Sequence, residues 1–181
     1  MGKFSETAFI HPDSVQHGEV SVGEYSSLWP CSVIRGDFAP IKVGRFSSVQ
    51  DCCVLHAAPN APVMVGDFVT VGHGAVLHGC TVEDNCVIGM NATVIDGAVV
   101  GRGTFVAAGA VIRGNTKVPP GSLVAGVPAE VRKGRSGQEE MIKRGSISYA
   151  VLAQGYREGK DVISEQELMN KMQEMMKKAD V

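Results

Sequence analysis

The 181-residue sequence predicts a parallel β-helix made of six-residue repeats, followed by a helical C-terminal segment. Three observations support this: aliphatic residues recur at every sixth position, the fifth position of each repeat is small, and glycine often follows the aliphatic residue. Six residues are an even number of strand steps, so all the aliphatic side chains point to the same inner face. A β-sandwich with regular turns is the alternative, whereas the 3.6-residue period of an amphipathic helix is absent.

The six-residue period runs from Val22 to about residue 130, with two insertions and one five-residue unit. Repeats of this kind stack as coils, each leaning on its neighbours. The small inward residues at the fifth position are Ser26, Ser32, Ser47, Cys53, Ala75, Ala92, Ala98, Thr104 and Ala110. We therefore predict a β-helix over residues 1–132 and a separate helical segment over residues 133–181.

The C-terminal segment predicts two helices. Residues 136–156 mix charged and apolar residues as a helix would, and the second helix is expected to begin at Ser164, where the sequence SEQE has the form of a capping box. One face of the second helix is apolar and carries Leu168, Met172, Met175 and Met176. We expect this face to dock on the β-helix or on a neighbouring subunit.

Composition excludes several classes of partner. The net charge is −2 and no basic run stands out, which argues against nucleic acid and anionic membrane surfaces. No stretch approaches the roughly 18 apolar residues of a membrane span, and the first residues do not resemble a signal peptide. Five cysteines without a CxxC motif indicate reduced thiols, which fits a cytoplasmic protein.

The cysteines are expected to be small packing residues. Cys31 and Cys52 should stack one coil apart, which could make a thiol pair, although small buried residues suit these positions. Cys53 and Cys86 take the small inward place of their repeats and are expected in the core.

The repeat also fixes which residues are neighbours on successive coils. With the three repeats per coil that the family resemblance described below implies, the inward residues Ile34, Leu55 and Leu77 stack directly. The residues that follow them, Arg35, His56 and His78, then form one outward column with a spacing of about 4.8 Å. Two histidines one coil apart can share a metal ion, so this column is the candidate metal site.

His73 cannot reach that column within its own chain. It precedes His78 by five residues, which is roughly 16 Å of extended strand, whereas metal–nitrogen bonds are only about 2.0–2.1 Å. A second copy packed alongside could receive it, and threefold symmetry would close that contact into three equivalent sites. The same register places Asp51 under His73. His11 and His17 are interpreted as ordinary surface residues.

The sequence resembles the γ-class carbonic anhydrases and their close relatives over roughly residues 8–157. The matching segments are IRGD (34–37), SVQD (48–51), LHA (55–57), VGHGAVLHGC (71–80), IGMNA (88–92) and the later LAQGY. The resemblance implies a left-handed, three-sided β-helix of the hexapeptide-repeat superfamily and a homotrimer. It also implies that His56 and His78 of one subunit and His73 of the next bind Zn²⁺, with Fe²⁺ or Co²⁺ as alternatives.

The resemblance further implies roles for the neighbouring residues. Arg35, Asp37 and Asp51 match charged residues that pair across the subunit interface, Gln50 matches the residue bonded to the metal-bound water, and Tyr149 matches a tyrosine near the pocket. Three neutral imidazoles leave the metal its charge and an open position. The pKa of a bound water then falls towards about 7, which provides hydroxide for the reversible hydration of carbon dioxide to bicarbonate.

Two departures from the family pattern put fast catalysis in doubt. Phe38 follows Asp37, and the loop AAPNAPVM after His56 contains no acid, so the acids that export protons in the best-characterised form are missing. Ser48 stands where that form has asparagine. The alternatives are a coenzyme A-dependent acyltransferase or thioesterase, since PPGSLVAGVPAEVRK resembles acyltransferase repeats, and a non-catalytic metal-binding trimer.

Overall fold

Short strands dominate the computed structural model, which describes residues 2–179. The strands are β1 Lys3–Phe4, β2 Phe9–Ile10, β3 Val15–Val22, β4 Ser27–Leu28, β5 Val33–Val43, β6 Ser48–Val49, β7 Val54–His56, β8 Val63–Val65, β9 Thr70–Val71, β10 Val76–His78, β11 Thr81–Val82, β12 Val87–Ile88, β13 Thr93–Val94, β14 Val99–Val100, β15 Phe105–Val106, β16 Val111–Ile112, β17 Lys117–Val118, β18 Ser122–Ala125 and β19 Glu130–Lys133. Two helices follow, α1 Gln138–Arg157 and α2 Glu165–Ala179.

The strands stack as a parallel solenoid of about seven turns, which confirms the predicted left-handed β-helix of hexapeptide repeats. One sheet runs β2, β4, β6, β9, β12, β15, β18 and β19, and all its pairings are parallel except the final β18–β19 pair. The other sheet covers two sides of the coil, because the first half of β5 pairs with β7 and its second half pairs with β8. The coil is therefore three-sided.

The core is the column of inward aliphatic residues that the period predicts. Ile34, Leu55 and Leu77 are fully buried and lie in register across β5, β7 and β10. The small fifth residues of the repeats are also buried. Some of them bridge coils by hydrogen bonds, since the Ser26 hydroxyl donates to the Gly44 carbonyl at 2.6 Å. Each coil thus adds one apolar layer to a continuous core.

The corners of the coil hold residues with a positive φ angle. At the corner that precedes β4, β6 and β9, Tyr25, Phe46 and Phe68 have φ values of 55, 53 and 56°. A left-handed backbone costs a non-glycine residue roughly 1–2 kcal/mol. The rings of Phe46 and Phe68 stack at 5.2 Å and pack under the helices, which offsets that cost. This aromatic corner is absent from the sequence-based expectations.

The prediction of small buried residues at Cys31 and Cys52 is wrong. Both are exposed, because they occupy left-handed positions with φ of 58 and 59° at the next corner of the coil. The assignment of Cys53 and Cys86 to the core is confirmed.

The helices pack on the outside of the solenoid. α1 contacts β2, β4, β6 and β9, and α2 contacts α1. As the capping box predicts, the Ser164 hydroxyl accepts the Glu167 backbone N–H at 3.2 Å. Met172 and Met175 are buried in a cluster with Phe46 and Phe68, so the apolar face of α2 docks within its own chain. Within residues 2–179, no helix has the length and apolar character that crossing a membrane requires.

Candidate metal centre

His56 and His78 face one another on adjacent coils. The pairing of β5, β7 and β10 puts Arg35, His56 and His78 in one column, as the repeat predicts. His56 Nδ1 and His78 Nε2 are 3.1 Å apart. Two nitrogens that bind one tetrahedral ion through bonds of about 2.0–2.1 Å lie roughly 3.3 Å from each other. The two imidazoles therefore stand at nearly the separation that a shared ion requires.

Asp37 and Arg35 hold the other edge of the His56 ring. Asp37 Oδ1 lies 3.0 Å from His56 Nε2, and Arg35 donates to Asp37 Oδ2 at 2.9 Å. Desolvation raises the pKa of Asp37, but its own backbone amide, the His56 ring and the Arg35 charge outweigh that effect and keep the pKa below its usual value. Both charged residues thus lie beside the histidine pair on their own chain.

Asp96 fixes the second ring of the pair. Its Oδ1 lies 2.7 Å from His78 Nδ1, which leaves His78 Nε2 directed at His56. Carboxylates commonly orient metal-ligating histidines in this way. The sequence analysis does not single out Asp96. The five-residue unit makes this coil 17 residues long, so the register sets His78 against Ile95, and Asp96 lies one position further along.

His73 lies at the corner between β9 and β10, apart from that pair. Its Nδ1 is 2.8 Å from Asp51 Oδ2, and its backbone N–H donates to Gln50 Oε1 at 3.1 Å. Asp51 therefore sits beneath His73, as the register predicts. Across residues 2–179, no three His, Cys, Asp or Glu side chains form a group that could hold a metal ion. Within a single chain, the three histidines therefore lie in two separate places, with His56 and His78 together and His73 apart.

A pocket of about 290 Å³ opens beside His73 and Asp51. Tyr149 and Trp29 line it, with their rings edge to face at 6.3 Å. The structure thus brings Tyr149 to the same pocket as His73. Ser48, by contrast, accepts a hydrogen bond from Trp29 Nε1 at 2.9 Å and so supports the pocket wall.

Phe38 and the loop after His56 lie beside the histidine pair. Phe38 is 62% exposed, and the centre of its ring lies 6.0 Å from that of the His56 ring. The loop closes through paired backbone hydrogen bonds between Ala58 and Ala61. His11 contacts Asp13 and stays apart from the histidine pair, while His17 lies one coil below Arg35 in the same column.

Known proteins resemble this chain in sequence and in fold. Residues 79–114 match the family model "Bacterial transferase hexapeptide (six repeats)". A "Probable carbonic anhydrase" of Methanocaldococcus jannaschii is 50% identical over 151 residues, which cover 83% of this chain and 95% of that protein. "Gamma carbonic anhydrase 3, mitochondrial" of Arabidopsis thaliana is 46% identical over 92 residues, covering 48% of this chain and 36% of that protein.

Among solved structures, a hexapeptide transferase family protein from Anaplasma phagocytophilum superposes with a TM-score of 0.82 at 34% identity. The match covers 86% of this chain and 92% of that one. The description of this structure names a transferase, whereas those of the two sequence relatives name carbonic anhydrases.

Proposed function

The chain belongs to the γ-class carbonic anhydrase-like family of the hexapeptide-repeat superfamily, and from that membership we propose that it hydrates carbon dioxide reversibly at a metal centre shared between subunits. The observation that carries the proposal is the division of the histidines. His56 and His78 stand 3.1 Å apart, whereas His73 is held separately by Asp51. Each of the three rings has a carboxylate neighbour, as expected for ligands held in place before the metal binds.

The donor set fits a divalent transition metal. His56 and His78 of one subunit, with His73 of its neighbour, supply three neutral imidazoles. Such a set suits zinc in tetrahedral geometry with one open position, and it also suits Fe²⁺ or Co²⁺. When bound, the metal acts as a Lewis acid and makes hydroxide available near neutral pH.

A homotrimer is the assembly that this site requires. The face that carries the histidine pair also carries Val33, Val54 and Val76, whose neighbours in sequence point inward, so these valines point outward. All three are partly exposed. An aliphatic strip next to polar ligands is suited to packing against a second copy, and threefold symmetry closes such a contact.

The other residues position the ligands and enclose the substrate. Asp51 and Asp37 orient the rings of His73 and His56. Arg35 is exposed and would pair with a carboxylate of the next subunit in the proposed trimer. Gln50 is 3% exposed and its oxygen accepts the His73 backbone N–H, so its NH₂ group would be available to donate a hydrogen bond to a small molecule beside His73. Tyr149 and Trp29 form an apolar wall that suits a small neutral substrate.

Proton release is expected to be the slow step of the proposed reaction. Phe38 occupies the position next to Asp37, and the loop from Ala57 to Met64 contains no acidic residue. The proton therefore leaves through water or a small buffer molecule, and turnover is expected to rise with buffer concentration.

Hydration of carbon dioxide should be measured by stopped flow on protein of known metal content, first with zinc and then with iron under anaerobic conditions. The proposal predicts hydration above the buffer rate that scales with metal content. The second candidate is acyl transfer from coenzyme A, or hydrolysis of its thioesters, and the similarity to a hexapeptide transferase favours it. Consumption of acetyl-coenzyme A without hydration would support that candidate, and metal binding with neither activity would indicate a non-catalytic trimer.

A further inference from the structure

Cys31 and Cys52 occupy equivalent corner positions on consecutive coils. Ser27 pairs with Ser48 and Leu28 with Val49, and continuing that register sets Cys31 against Cys52. Both residues have a left-handed backbone conformation. The Cys52 backbone N–H donates a hydrogen bond to the Pro30 carbonyl at 3.1 Å. The two exposed thiols are therefore direct neighbours along the corner.

The other three cysteines differ in environment. Cys53, Cys80 and Cys86 are buried, and burial raises the pKa of each thiol to about 12. Because the thiolate is the reactive form, these three are inert near neutral pH. Thiol chemistry on this chain is thus confined to the corner pair.

We propose that Cys31 and Cys52 form a reversible intrachain disulfide, which makes this corner a redox-modification site. The oxidant is a small disulfide such as oxidised glutathione. One thiolate attacks it, releases one glutathione thiolate and forms a mixed disulfide. The second cysteine thiolate then displaces the other glutathione, so that two protein thiols are oxidised and one small disulfide is reduced to two thiols.

The spacing of the coils permits a disulfide between Cys31 and Cys52 if the backbone shifts slightly. Neighbouring coils are about 4.8 Å apart, which lies within the range of roughly 4.4–6.8 Å between the Cα atoms of disulfides. The Cβ atoms must approach to about 3.8 Å, so the two corners have to draw together. Exposed disulfides that form with such distortion are readily reduced, which is typical of regulatory ones.

Closing the pair moves the residue that holds His73. Asp51 precedes Cys52 in the sequence. The coil that carries both residues lies between the coil of Cys31 and the coil of His73. Pulling Cys52 towards Cys31 draws Asp51 away from His73, and so lengthens the 2.8 Å contact between the Asp51 carboxylate and the His73 ring. This consequence rests on the proposed metal site, and it predicts weaker metal binding in the oxidised protein.

The test uses the intact oligomer, incubated with oxidised glutathione or with dithiothreitol. Peptide mapping of the oxidised protein should show a Cys31–Cys52 crosslink, with none in the Cys31→Ser or Cys52→Ser variants. Zinc affinity, measured by chelator competition, should fall about tenfold on oxidation and recover with dithiothreitol. Neither serine variant should respond.

Each result is decisive for one part of the proposal. Absence of the crosslink in folded protein would overturn the modification site, whatever the metal does. A crosslink that leaves zinc affinity unchanged would overturn the link to His73. Protein that binds no zinc in either state yet forms the crosslink would contradict the proposed function while supporting the thiol pair.

Discussion

Asp96 provides a sharp test of how the histidine pair is organised. Its carboxylate is 2.7 Å from His78 Nδ1, and the two side chains are 49% and 35% exposed. Asp96→Asn keeps an acceptor but removes the charge, whereas Asp96→Ala removes both. A charge-assisted hydrogen bond contributes roughly 1.5–3 kcal/mol and a neutral one about 1. Because solvent screens this half-exposed pair, the lower values apply.

We therefore expect zinc affinity to fall about twofold in Asp96→Asn and roughly 10–30-fold in Asp96→Ala, which corresponds to about 0.5 and 1.4–2 kcal/mol. The measurement is chelator competition on metal-free protein. Asp13→Asn is the matched control, because Asp13 lies 3.8 Å from His11, a histidine outside the proposed site. Wild-type affinity in both Asp96 variants would refute the role of Asp96 in orienting His78.

Three further predictions test the site, the core and the thiols. His73→Ala should lose its metal in elemental analysis while light scattering still detects a trimer, and a variant that keeps one metal per subunit would contradict the shared site. Leu55→Ala, which leaves a cavity in a fully buried layer, should lower the free energy of unfolding by about 2–5 kcal/mol in a denaturant titration. A loss below about 1 kcal/mol would count against the continuous core. Iodoacetamide at pH 8 should add two groups to the native chain, at Cys31 and Cys52. The three buried thiols have a pKa of about 12 and stay protonated at that pH. Five additions without denaturant would contradict their burial.

The parts of the fold that follow from stacking could be predicted from the sequence. A solenoid places residues one full coil apart in register, so the period alone sets His56 beside His78 and Asp51 beneath His73. The same counting does not reach Asp96. The register of Leu77 with Val94 sets His78 against Ile95, and the contact with Asp96 depends on the corner that follows Ile95.

The corners could not be predicted, because their conformation depends on contacts outside the repeat. Phe46 and Phe68 adopt a left-handed backbone that glycine or asparagine would take more readily, and the helices that cover their rings stabilise it. Cys31 and Cys52 were expected inside because they are small, but at a left-handed corner they are exposed. Size predicts burial along the strands of this fold and fails where the chain turns.

In the proposed site, the division of the three histidines would tie metal binding to assembly. A β-helix is stiff, because each coil is hydrogen-bonded to the coils above and below it, so His73 cannot bend across its own corner to reach the column of His56 and His78. A ligand that binds only the assembled form stabilises that form by mass action. The ion would therefore act as a subunit bridge as well as a reaction centre, and residues that orient the rings, such as Asp51 and Asp96, would influence trimer stability through the metal. The same corner carries the exposed thiols, so a redox change there would reach catalysis and assembly through a single contact, between Asp51 and His73.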